Sequence, residues 1–92
     1  MANQEQLDLL KQGVEVWNQW RKGHPSVKLS LQGANLYNQN LSGANLREAD
    51  LSYAQLRGIN LNGADLSEAN LEGTIITIAI LPHHPQGIRQ ST

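Results

Sequence analysis

The residues of this 92-residue chain that could do chemistry are few and widely spaced. Glu48, Asp50, Asp65 and Glu68 are carboxylates of its central stretch, and His24, His83 and His84 are its three histidines. Acid–base catalysis needs titratable groups converging on one bond, in a site that excludes water. A zinc site needs three or four ligands brought close together. His83 and His84 are adjacent, so in an extended segment they point opposite ways, and His24 stands far from both; solvated side chains are expected, not ligands. The absence of Cys excludes disulfides and thiolate metal centres. The glycines recur at intervals of five with no Lys-Ser or Lys-Thr behind them, so they make no phosphate-binding loop. No catalytic residue, cofactor or metal is expected, and the chain does not read as an enzyme.

Seven basic and eight acidic residues leave a net charge of −1, too balanced to draw nucleic acid or an anionic membrane. The longest uncharged run is interrupted by Pro82, His83 and His84, which argues against a membrane span. The first residues are polar and acidic, unlike a signal peptide, so a cytoplasmic location is expected.

The feature that must position everything else is an internal repeat. Leu31, Leu36, Leu41, Leu46, Leu51, Leu56, Leu61, Leu66 and Leu71 recur every five residues, and Ile76 extends the register. Two residues before each stands a mostly small residue: Leu29, Ala34, Gln39, Ala44, Ala49, Ala54, Ile59, Ala64, Ala69 and Thr74. The residue just before is Asn or Asp at 35, 40, 45, 50, 60, 65 and 70, and Gly is frequent at the unit's last position. A period of five fits neither a helix nor a strand. Two inward residues per unit mean that the chain turns a corner after each short extended piece, and Asn, Asp and Gly suit such corners.

The segments GANLYNQNLSGANLREADLSYAQL and GINLNGADLSEANLEGT resemble the pentapeptide-repeat family, over about Leu29 to Ile78. The helix-plus-repeat layout is similar to short cyanobacterial-type members of that family. The resemblance implies a mainly β protein: a right-handed quadrilateral β-helix with four units per coil, about two and a half coils here. Gln39 departs from the pattern, as a polar side chain at a position normally small.

The expected organisation is an N-terminal capping helix and linker over 1–28, the repeat over 29–78, and a C-terminal tail over 79–92. Asn3 and Gln6 resemble a pair that opens a helix. Leu7, Leu10, Val14 and Trp17 fall on one face, widened by Leu9, Val16 and Trp20, and Gly23 and Pro25 stop the helix. Such a helix reads as a lid over one open end of the coil. At the other end Thr74–Leu81 is uncharged and β-prone. It reads as a cap or as a homodimer contact through Ile75, Ile78, Ile80 and Leu81.

If four units close a coil, residues twenty apart share a column. Asn45 then stacks on Asp65 and Asn40 on Asn60, where amides could bond along the column. Tyr37 lies over Arg57, in reach of a cation–π contact. Glu48 lies over Glu68, with Arg47 offsetting their repulsion. That carboxylate pair sits on a convex surface and is not expected to be a dyad.

The functional expectation is a structural or protein-interaction module that presents flat polar faces to a protein partner. Tyr37, Tyr53, Arg57, Glu48 and Glu68 form the candidate partner surface, with Tyr53 the best single anchor. The resemblance carries an alternative, mimicry of DNA to inhibit a type II topoisomerase. Residues 29–78 hold five acids against two arginines, a net of −3, far below the charge density of a duplex.

Overall fold

A computed structural model describes residues 1–78. The tail over 79–92, with Ile80, Leu81, His83 and His84, lies outside the described residues, as does the side chain of Ile78. Two helices, α1 (Gln4–Lys11) and α2 (Val14–Gly23), precede two short strands, β1 (Gln55–Ile59) and β2 (Ile75–Ile78).

The β1–β2 pair is parallel and joins residues twenty apart at Gln55–Ile75, Leu56–Ile76 and Arg57–Thr77, before an irregularity that brings Ile59 to Ile78. The same separation governs five isolated parallel bridges, Ser30–Asp50, Asn35–Gln55, Asn40–Asn60, Asn45–Asp65 and Asp50–Asn70. The chain therefore returns to the same place every twenty residues, each turn hydrogen-bonded to the next. At one such junction Asp65 N–H donates to Ala44 O and Leu46 N–H to Asp65 O, both at 2.9 Å. This is a β-helix type of arrangement.

Inside lie the leucines. Leu31, Leu36, Leu41, Leu46, Leu51, Leu56, Leu61 and Leu66 are each at most 1% exposed, packed with Ala34, Ala44, Ala49, Ala54 and Ala64. Burying one such side chain contributes about 1.5–3 kcal/mol. Leu71 is half-buried and Ile76 is 37% exposed, since both lie in the last described turn. Gln39 is half-buried one turn above Ile59, the other large residue of its column.

The expected single helix is two helices. Gly13, at φ 121°, breaks it after Gln12 and becomes the N-cap of α2. Leu7, Leu10 and Trp17 are buried, Val14, Leu9 and Trp20 partly so, while Val16 is 40% exposed because the break turns it outward. Asn3 caps α1 by accepting from Gln6 N–H at 3.1 Å. Gln6 does not reach back to Asn3; its carboxamide goes to the coil.

The helices close part of the coil's first edge. On that edge Ser30, Asn35, Asn40 and Asn45 direct their N–H and C=O away from the turn below. Ser30 N–H donates to Gln6 Oε1 at 2.8 Å and Ser30 O accepts from Asn3 N–H at 2.7 Å. Asn45 N–H donates to Asn18 Oδ1 and Asn45 O accepts from Trp17 Nε1–H, both at 2.8 Å.

Candidate functional site

Each corner of the coil is built by its own sequence. The Asn or Asp before seven of the central leucines accepts, through Oδ1, the N–H two residues on: Asn35 from Tyr37, Asn40 from Ser42, Asn45 from Arg47, Asp50 from Ser52, Asn60 from Asn62, Asp65 from Ser67, and Asn70 from Glu72. These are Asx turns. The expected amide bonding along the Asn45–Asp65 and Asn40–Asn60 columns is replaced by this local pairing, because the neighbouring N–H is nearer than the next turn. Gln55 and Ile75 lack the short polar side chain, and at those two places the chain runs on as β1 and β2. Among the described residues, the one regular sheet thus marks where the Asx residue is missing.

Every corner then passes through the left-handed region. Nine residues spaced by five, from 33 to 73, have φ between 58° and 74°; five are Gly and four are Asn38, Glu48, Tyr53 and Glu68. For an L-residue this conformation costs about 1–2 kcal/mol, Asn being the best tolerated. Gly58 and Gly73 are required twice over. A Cβ at Gly58 would meet Asn38 Oδ1, and a Cβ at Gly73 would meet the ring of Tyr53. Asn38 and Tyr53 each lean over the turn below, and the glycine beneath makes room.

The candidate surface residues separate into two groups. Tyr37 (54% exposed), Tyr53 (64%) and Arg57 lie on or beside the β1–β2 side, where Ile75 is 47% exposed. Glu48 and Glu68 are exposed residues of the corner one side before Tyr53, about half a coil from Tyr37 and Arg57. Tyr37 and Arg57 share a column without a cation–π contact; among the described residues the aromatic contacts are Trp17–Trp20, at 5.4 Å, and Trp20 stacked on His24, at 4.7 Å.

Two carboxyls are electrostatically tuned. The Ser52 hydroxyl holds Asp50 below its ordinary 3.8, against opposing burial and helped by Ser52 N–H and Lys28. The Ser67 hydroxyl and N–H do the same for Asp65, helped by Arg47. Arg47 thus acts on Asp65, one turn away, besides its expected place beside Glu48. Among the described residues no three His, Asp or Glu side chains converge as a metal site.

Two features escaped the sequence. The carboxamides of Gln6 and Asn18 bind the coil edge, and nothing in the helix pattern distinguishes them from other surface amides. Arg21 is buried with Nη1 donating to His24 O and Nε without a partner among the described residues. Its place in the helical stripe, four after Trp17, was the available signal.

Turns stacked in parallel at twenty residues, a leucine interior and corners made by Asx turns define a repeat protein of β-helix type. The family model for pentapeptide repeats matches residues 30–67 and 47–81, with eight copies over more than half of the chain, and the chain belongs to that family. No curated protein and no solved structure matches it. Membership marks the chain as a structural or protein-interaction module of a generally non-catalytic kind. No described helix is long and apolar enough to cross a membrane.

Proposed function

We propose that the protein is a non-catalytic interaction module, a right-handed four-sided β-helix whose β1–β2 side docks a protein partner through Tyr37, Tyr53 and Arg57. The observation that carries this reading is Tyr53. It keeps a left-handed corner, at φ 59°, where five of nine equivalent positions are Gly. A strained backbone held under an exposed side chain points to that side chain's use. Tyr and Arg are also the residues that dominate contact energies in protein interfaces. Ile75 adds apolar area beside them.

The test is photo-crosslinking in lysate of the source organism, from a benzophenone residue at Tyr37 or, as a control, at Ser42 on the next side. A specific adduct from position 37 that Arg57→Ala and Tyr53→Gly remove supports the reading. Equal labelling from both positions sinks it.

The proposal extends to a homodimer joined near Thr74–Leu81. Ile75 and Ile76 are exposed apolar residues of the last described turn, and a coil this short gains from an end-to-end neighbour. A concentration-independent monomer mass in sedimentation would exclude it. The DNA-mimic alternative predicts inhibition of topoisomerase supercoiling, which the weak net charge of the repeat disfavours.

A further inference from the structure

Among the described residues, the first edge of the coil is only half closed. On two of its four sides Ser30 and Asn45 have both backbone groups taken by the helices. On the other two, the N–H and C=O of Asn35 and Asn40 have no partner among the described residues, and both residues are exposed. These four groups are oriented as in every turn below, where the same places bond a parallel neighbour: Gln55 N–H to Ala34 O, and Asn60 N–H to Gln39 O.

We propose that this open half-edge binds one extended peptide segment of a partner, added as a parallel strand above Asn35–Asn40. Its phase follows from the turns below. Asn35 N–H and Asn40 N–H donate to two carbonyls of the peptide, and two peptide N–H groups donate to Asn35 O and Asn40 O. Strand addition of this kind draws affinity from the main chain and selectivity from side-chain pockets. A pocket adjoins the site: Met1, Leu7, Gln32, Ala34, Asn35 and Tyr53 line a shallow groove where α1 meets the first turn. The occupant is a single strand because α1 and α2 already cover the Ser30 and Asn45 sides. A second copy stacking a whole coil on this edge would collide with them.

The test uses the full chain and a synthetic peptide with the sequence of residues 54–61, Ala-Gln-Leu-Arg-Gly-Ile-Asn-Leu, which already pairs beneath Asn35–Asn40 in the fold. Amide exchange and chemical shifts are followed by NMR. In the free protein the Asn35 and Asn40 amides exchange fast and those of Ser30 and Asn45 slowly. Adding peptide to about 1 mM shifts the Asn35 and Asn40 signals and slows their exchange, leaving Ser30 and Asn45 unchanged. A peptide N-methylated at its two leucine nitrogens, which lacks the donors, has no effect. The proposal is overturned by unshifted signals, by equal action of the methylated peptide, or by Asn35 and Asn40 amides already slow in the free protein. Protection that rises with protein concentration alone would replace the peptide with a second copy and also overturn it.

Discussion

Gln6 and Asn18 hold equivalent places on the edge of the coil, although one lies in α1 and the other in α2. Gln6 accepts from Ser30 N–H and donates to Lys28 O; Asn18 accepts from Asn45 N–H and donates to Gly43 O. Each carboxamide spans a carbonyl and the N–H two residues later, and the two target sites stand fifteen residues apart. A backbone hydrogen-bonding group left without a partner away from water is costly, so the helices do more than shade apolar surface.

Gln6→Leu therefore removes both bonds while keeping an apolar stem against the core. Gln6 is 5% exposed, and the expected loss is about 1–3 kcal/mol from a lowered denaturant midpoint. Asn18→Leu, at a more exposed bond, costs less. Equal stability of Gln6→Leu and the parent would show that the helices rest on the coil through packing alone.

Gly73→Ala tests the overhang of Tyr53. Both Gly33 and Gly73 have left-handed backbones, but a Cβ at Gly33 meets nothing within 4 Å. Gly33→Ala should cost about 1–2 kcal/mol for conformation alone, and Gly73→Ala more. In the Tyr53→Gly background the excess disappears, a coupling that a double-mutant cycle measures.

Acid sensitivity follows from Asp50 and Asp65. Both have folded-state pKa values lowered from 3.8, so the stability they add is present above that value and is lost as pH falls through the lower folded value. Asp65→Asn keeps the Asx turn, as Asn45 does in the turn above. It should lower neutral stability by the part that the ionised carboxylate adds and flatten the decline below about pH 4. Denaturant melts at several pH values check this.

Much of the fold was legible because the side-chain period is strict. The leucine ladder and the Asx corners are written locally, each in five consecutive residues, and the glycine corners show where the backbone turns left-handed. The helix break was also visible in principle at Gly13, yet the apolar spacing of Leu7, Leu10, Val14 and Trp17 runs across it and suggests one helix. The edge contacts of Gln6 and Asn18 were not legible. They join residues 22 to 27 positions apart, and only the docking angle of the helices selects those amides over Gln4 or Gln19. The same holds for Tyr53, whose exposure follows from the corner but whose place over Gly73 depends on the turn below.

Leu46→Ala opens a cavity in a fully buried site and should cost about 2–5 kcal/mol. Tyr37→Ala and Arg57→Ala, at exposed positions, should change stability by less than about 0.5 kcal/mol while weakening partner capture. Thermal and denaturant unfolding of the three variants separates the interior from the surface.

The twenty-residue return of the chain is tested most directly by NMR couplings carried through hydrogen bonds. Couplings from Leu46 N to the Asp65 carbonyl carbon, and from Asp65 N to that of Ala44, are the expected result. Couplings from these nitrogens to carbonyls four residues earlier would mean a helix, and would contradict the stacked coil outright.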